Sequence, residues 1–525
     1  MYSKLLTGCI LLCSHVLAAQ NGQHYDRIGE VKKYIQEEYV ETINIDSIID
    51  GMVHAYLNDP ATIREIFNHL DPHSNYMDEK EYKELKIGLA GNFQGVGLAF
   101  TILNDTIIIT KIFEGGPAKK GGLLTGDKLI EIDDMPFSGE NISYDTVINT
   151  LRGEKGTAVK LSVYRNNIPE FMHVNMIRDN ISLKSVQVAY MLNKQTGYIK
   201  ISHFAETTVQ EVQFALQKLN AEGMKRLVLD LRDNSGGYFK AATGVADEFL
   251  PANTLLVYTE GKPGSREDQY TKKTGLFETG SMVVLVNEAT ASSGEILTGA
   301  LQDNKRAVIM GKRTYGKGLV QNLFPLADSL TAIKLTTARY YTPSGRCIQR
   351  SYEEGVDVYN NEYTAILANN GVLPDSLKKN KNIDWGIIPD RFIPADTTAV
   401  NTLFNQLYYR YYISEVASSY YANNTNRFAV FKNIDDFNKN YYPDDALFEK
   451  FRKYVAEKEN AADNYYPKLN YSDTDLNNAR SKSEIALKAH ILQLKWGDEG
   501  FYPLMNSIDD DVKAALVELY EKKKP

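Results

Sequence analysis

Met282-Val283-Val284-Leu285-Val286-Asn287-Glu288-Ala289-Thr290-Ala291-Ser292-Ser293-Gly294-Glu295 is the stretch that decides how this 525-residue chain folds. Five consecutive apolar residues read as a buried strand, and the small and polar residues after them read as the start of a helix. A strand that runs into a helix this way sets the Ser292 hydroxyl beside unpaired backbone N–H groups of the first helical turn. A serine there is ordinarily only an N-cap. Here Ala291, Ser293 and Gly294 are small, so another backbone has room to approach. Spacing alone does not separate Ser292 from its neighbour Ser293.

Outward from this stretch the pattern repeats. Leu227-Val228-Leu229-Asp230-Leu231 is a buried strand followed by the turn Asn234-Ser235-Gly236-Gly237. The apolar run Ala307 to Met310 leads into Gly311-Lys312-Arg313-Thr314-Tyr315-Gly316-Lys317-Gly318. Strand and helix alternate from about 180 to 350, which predicts an α/β core.

Lys317 stands between two glycines in an otherwise apolar stretch, where another backbone can come close and water is excluded. Desolvation disfavours an ammonium ion and turns lysine into a usable base. Serine plus such a lysine is the chemistry of a serine–lysine hydrolase. The glycine turn at Gly236 and Gly237 offers N–H groups as half of an oxyanion hole, and the N–H of Ser293 offers the other half. Gly311 to Gly318 also resembles a phosphate-binding loop. That loop needs Ser or Thr after the lysine and must open a helix, whereas Gly318 and the extended Leu319 to Pro325 follow here. His203 lacks a diagnostic setting and reads as structural. No group of residues has metal-ligand spacing, so neither metal nor cofactor is expected.

Upstream, residues 25 to 86 read as helical, with Ile28, Val31, Ile35 and Tyr39 at helical spacing and a turn at Leu70-Asp71-Pro72-His73-Ser74. From Asn92 to about Arg165 the period changes to that of strands. The loop Gly95-Val96-Gly97-Leu98 opens that region. It reads equally as a hairpin turn or as a carboxylate-capturing loop beside which a peptide adds a strand. Beyond about 400 the chain is helical and rich in tyrosine.

Length predicts several domains, and a net charge of −8 without a basic block excludes nucleic acid as a partner. Lys4, the apolar Leu5 to Leu17 and the small Ala18-Ala19 read as an export signal. No later segment is apolar enough for a membrane span. Cys347 is the one cysteine outside that signal, which excludes an internal disulfide, and it reads as a packing residue.

These motifs, in this order, resemble the C-terminal processing peptidases, also called tail-specific proteases. The resemblance runs from about Tyr25 to Asp390. It rests on Leu70 to Ser74, the PDZ-like stretch Gly95 to Tyr164, Leu229 to Gly237, the nucleophile segment, Gly311 to Gln321, Ala338 to Arg346 and Trp385 to Asp390. The usual Ser-Ala-Ser-Ala-Ser-Glu is Thr290-Ala291-Ser292-Ser293-Gly294-Glu295 in this chain, and the usual Asn-Pro-Gly-Gly is Asn234-Ser235-Gly236-Gly237.

The resemblance implies a crotonase-like (ClpP/crotonase) α/β protease core with an inserted PDZ domain, flanked by helical N- and C-terminal regions. The implied boundaries are 1–19 signal peptide, 20–87 N-terminal helical region, 88–168 PDZ domain, 169–395 protease core and 396–525 helical domain. It implies a periplasmic serine endopeptidase that cleaves exported proteins near their C-termini. Ser292 is the implied nucleophile and Lys317 the general base, with Gln321 positioning the lysine amine. Ser293 with Gly236 or Gly237 forms the oxyanion hole, and Asp303 is an acidic support nearby. Gly95, Val96, Gly97 and Leu98 capture the substrate's terminal carboxylate. The expected partners are protein or peptide tails. The tyrosine-rich domain is expected to brace the core or a homo-oligomer. The alternative is a secreted PDZ-type peptide-binding scaffold without catalysis.

Overall fold

The computed structural model describes residues 27–51, 60–103, 105–137, 139, 142–165, 168, 170–262, 265–369, 372, 374, 384–461 and 467–521. The export signal lies outside the described residues. The chain divides into one compact unit of residues 1–90, 201–218 and 229–392, and a second of 91–200, 219–228 and 393–525.

In the first unit the strand Ser281–Val286 is apolar from Met282 onward because both faces are covered; those five residues are buried. It pairs in parallel with Val308–Gly311, which pairs in parallel with Arg391–Phe392. The backbone of Leu231, at the end of Arg226–Asp230, donates to Leu285 on the opposite side. The helix Ser293–Asp303 follows the first of these strands directly, and all its residues from Ser293 to Leu301 are buried. Parallel strands with a helix between them form the α/β core that the alternation predicts.

An antiparallel sheet completes the unit. Its order is Asn75–Met77, Ala332–Tyr341, Leu255–Glu260, Arg266–Tyr270, with Leu319–Pro325 also paired to Ala332–Tyr341. The segment after Lys317 is therefore strand, as the rejection of a phosphate loop requires. Alternation along Ala332–Tyr341 turns Ile333 and Leu335 into a core with Val31, Ile35, Ile63 and Tyr76 of the N-terminal region. The helical spacing of Ile28, Val31, Ile35 and Tyr39 thus marks a buried stripe.

In the second unit a PDZ domain is built on the strand order Leu98–Leu103, Thr106–Ile112, Lys128–Ile132, Ala158–Tyr164, Met172–Ile177. The helix Tyr144–Leu151, capped by Ser143, lays Val147 and Leu151 on its core. Leu98–Leu103 is the edge of this sheet. The C-terminal region is helical, and Tyr412, Tyr420 and Tyr421 are buried in its aromatic core while Tyr409 and Tyr411 are exposed. It rests on the PDZ domain. Gly126 lies against Tyr421 and Thr425, and Lys111 pairs with Asp498 at 3.1 Å. No helix among the described residues is long and apolar enough to cross a membrane.

Candidate active site

A cleft of about 1120 Å³ in the first unit is lined by Ser292, Ser293, Gly237, Lys317, Gln321 and Lys334, among others. Gly237 and Lys334, 97 positions apart, are brought to one surface.

Ser292 occupies the junction of strand and helix with φ 53° and ψ −117°. A non-glycine residue in such a conformation costs of the order of 1–3 kcal/mol and persists only where its surroundings impose it. Those surroundings are explicit. The Ala291 N–H donates to the Asn234 carbonyl at 2.8 Å, and the Ser292 N–H donates to Glu295 Oε2 at 2.9 Å. The tight turn exposes the serine hydroxyl at the end of the strand, the arrangement of a nucleophile elbow.

Glu295 is the centre of the construction. Its fully buried carboxylate accepts four hydrogen bonds: Oε2 from the N–H of Ser292 and, at 2.9 Å, of Lys317; Oε1 from the N–H of Gly316 at 2.7 Å and from Thr314 Oγ1 at 2.5 Å. One side chain therefore holds the backbones of both Ser292 and Lys317. Burial pushes this carboxyl up to about 7, against the four donors that favour its ionised form. A second clamp comes from Tyr340, whose hydroxyl donates to the Lys317 carbonyl at 2.6 Å and lies 3.2 Å from the Ser292 carbonyl.

The glycine turn is packed directly against the serine. A Cβ on Gly236 would stand 2.8 Å from Ser292 Cβ, and one on Gly237 would stand 2.1 Å from the Phe204 carbonyl oxygen. Both glycines have φ in the region other residues avoid, 96° and 131°. Ser293 Oγ donates to the Gly237 carbonyl at 2.9 Å, so its hydroxyl is engaged in holding the turn. The Gly236 N–H donates to Asn234 Oδ1 at 2.9 Å. The N–H groups of Ser293 and Gly237 donate to no acceptor among the described residues.

Lys317 reaches the same cleft, and its amine makes no hydrogen bond or ion pair among the described residues. Desolvation, then the nearby positive charge of Lys334, bring it down to about 8; Asp71 and Glu295 pull the other way. Gln321 lines the cleft, with its amide donating to Thr336 Oγ1 at 3.2 Å. Asp303 pairs with Arg346 at 2.5 Å and holds Ser344, and so fastens the Thr342–Arg346 turn. His203 borders the cleft with Nδ1 3.0 Å from Ser202 Oγ, and burial lowers its proton affinity. Cys347 is a half-buried free thiol.

The sequence reading missed four residues here. Glu295 was within reach, since Ser292-x-x-Glu295 has the spacing of a capping box. Tyr340 and Lys334 lie on a strand whose alternation was legible, but which face met the cleft was not. Asp71, in the turn read only as Asp-Pro, is buried and accepts from the N–H groups of His73 and Ser74 and from Ser74 Oγ. Among the described residues no cluster is suited to a metal.

In the second unit, the Val96 and Gly97 carbonyls accept from Ala118 and Phe113, while their N–H groups donate to no acceptor among the described residues. Gly97 has φ 80°, and a Cβ there would meet Ile181 Cδ1 at 2.8 Å. The loop adjoins the free edge of Leu98–Leu103.

Comparison with known proteins agrees with this picture. Residues 195–358 match peptidase family S41, residues 80–164 match the PDZ domain, and residues 403–497 match a family of unknown function, DUF8443. A carboxy-terminal-processing protease of Bartonella bacilliformis is 32% identical over 353 residues, covering 66% of this chain and 78% of the relative. The carboxy-terminal processing protease CtpA of Bacillus subtilis is 29% identical over 345 residues, covering 66% and 71%. Among solved structures, the photosystem II D1 C-terminal processing protease is 25% identical and covers 70% of this chain and 92% of that one, at a TM-score of 0.40.

Proposed function

The chain belongs to peptidase family S41, among the carboxy-terminal-processing proteases, and on that premise we propose that it is a Ser292–Lys317 endopeptidase that trims exported proteins near their C-termini. The observation that carries this reading is the single Glu295 carboxylate accepting the N–H of both Ser292 and Lys317.

Neutral Lys317 takes the proton of Ser292 Oγ as that oxygen attacks the peptide carbonyl carbon. The new oxyanion is received by the N–H groups of Ser293 and Gly237, the two left without acceptors; the Gly236 N–H is engaged with Asn234. As the tetrahedral intermediate collapses, the C–N bond breaks and the Lys317 ammonium gives its proton to the leaving amine. Water then attacks the acyl-enzyme ester, with Lys317 again accepting and returning the proton, and the acid product leaves. Gln321 lines the wall beside this path and holds the Thr336 side of the cleft.

The PDZ loop Gly95 to Leu98 receives the terminal carboxylate of the substrate on its Val96 and Gly97 N–H groups, while the tail extends along the edge Leu98–Leu103. The leader-like residues 1–19 support export, and we read the mature chain as periplasmic. We take the segments bounded at 19, 87, 168 and 395 as its domains, with the strand Met172–Ile177, just past 168, completing the sheet of the PDZ segment.

The test is cleavage of a tagged protein with a flexible tail by wild type, Ser292→Ala and Lys317→Ala. Both variants should lose cleavage by at least about 10³-fold while retaining the native circular-dichroism spectrum. Wild-type activity in either well-folded variant would remove the dyad. No cleavage by wild type, together with tail binding, would favour the scaffold reading.

A further inference from the structure

The mechanism above leaves the half-buried Lys334 in the cleft without a task. Lys334 sits on Ala332–Tyr341, flanked by Asn75 of one neighbouring strand and Leu323 of the other. With a partner strand on each side, its backbone has no freedom to withdraw. Its neighbours Ile333 and Leu335 point into the core, so Lys334 and Thr336 face the other way, and the Lys334 side chain lines the cleft with Ser292 and Lys317. It makes no hydrogen bond or ion pair among the described residues.

The carboxylates whose fields reach it, Asp71 and Glu81, are already engaged. Asp71 accepts from His73, Ser74 and the Ser74 hydroxyl. Glu81 accepts from Arg64 at 2.9 Å and from the Asp78 N–H at 3.0 Å. A partly desolvated ammonium that no carboxylate pairs directly is costly, and such groups concentrate at functional sites.

We propose that Lys334 is a positioning residue that acts through Lys317: its charge in the cleft adds to burial in favouring the neutral form of the catalytic amine. This deepens, and rests on, the assignment of Lys317 as base. Two ammonium groups sharing one desolvated pocket repel, so the pair releases its first proton more readily than either would alone. The groups around Lys317 act in opposite senses: Lys334 opposes its charge, while Asp71 and Glu295 favour it and offset part of that effect. His73, held 3.2 Å from the Tyr359 hydroxyl, is pushed far down by burial and then by Lys317, Lys334 and Arg350, so it carries no compensating change at working pH. Burial alone would lower the proton affinity of Lys317; the second lysine extends the shift and makes it dependent on charge.

The test is the pH dependence, from 6 to 10, of acylation by a small activated ester and of kcat/KM for a tail-bearing peptide. Wild type, Lys317→Ala, Lys334→Met, Lys334→Gln and Lys334→Arg are compared. In Lys334→Met and Lys334→Gln the rising limb should move up by about one pH unit. The rate at pH 7 should fall about tenfold, and recover by pH 10. Lys334→Arg, which keeps the charge, should retain the wild-type midpoint. The proposal is overturned if a folded neutral variant keeps the wild-type midpoint, whether it is fully active, slow at every pH or altered only in KM. It is equally overturned if the arginine variant moves the midpoint up by about one pH unit, a result that can be read even where neither neutral variant folds. Lys317→Ala separates the two claims. If it keeps the rate and the limb, the dyad falls; if it is inactive while the neutral Lys334 variants keep the midpoint, only the role of Lys334 falls.

Discussion

The proposed catalytic cleft and the proposed carboxylate loop of the PDZ domain are built in opposite ways. Around the cleft several polar groups are committed. Glu295 takes four donors, Asp71 takes three and Tyr340 bridges two carbonyls, while among the described residues the Ser293 and Gly237 N–H groups and the amines of Lys317 and Lys334 make no hydrogen bond. In the PDZ loop the backbone itself is open, with two N–H groups and a strand edge awaiting a partner. The first region is rigid and charged because chemistry needs groups held against water and repulsion. The second can be simple because adding a strand supplies its own hydrogen bonds. Substitutions should therefore change turnover in one region and substrate affinity in the other.

Outside the dyad itself, the largest effect should come from Gly237→Ala. Its Cβ would collide with the Phe204 carbonyl at a φ that alanine avoids, so the oxyanion donor is displaced. Turnover should fall about 10²–10³-fold with tail-peptide binding unchanged. A variant with normal kcat would remove Gly237 from the site. Glu295→Gln should come next. An amide offers one acceptor oxygen where the four donors find two, and the serine and lysine backbones lose their common anchor. A loss of about 30- to 100-fold in kcat is expected from stopped-flow acylation, more than a lost neutral hydrogen bond alone would give.

On the other side of the comparison, Gly97→Val should raise KM for tail-bearing peptides about tenfold by distorting the carboxylate loop, and leave hydrolysis of a small ester untouched. Equal losses on both substrates would erase the contrast. The smallest effect should come from Asp498→Asn. It breaks a partly exposed ion pair with Lys111, and such pairs are worth about 1 kcal/mol at most. Thermal unfolding should move by a few degrees or less, and more than that would mean the helical region holds the PDZ domain more tightly than this contact implies.

The legible part of this protein was written in short-range pattern. The unbroken apolar run before Asn287, the helical spacing from Ile28 to Tyr39 and the glycine pair at 236–237 each state their local structure without help. Ser292 and Lys317 were legible for the same reason, since each stands at the end of a run. What escaped the sequence was coincidence in space. Asp71 and Lys334 are 263 positions apart and meet the site only because two strands pair Asn75 with Lys334. The choice between Gly236 and Gly237 depended on a single Asn234 contact that no spacing encodes.

The central claim, that the proton affinity of the Lys317 amine is lowered enough to supply a neutral base near working pH, is tested most directly by competitive labelling of amines with a trace acylating reagent across pH, read lysine by lysine through peptide mapping. The account predicts a midpoint near 8 for Lys317, against about 10.4 for lysines in water. A midpoint at the ordinary value would contradict it.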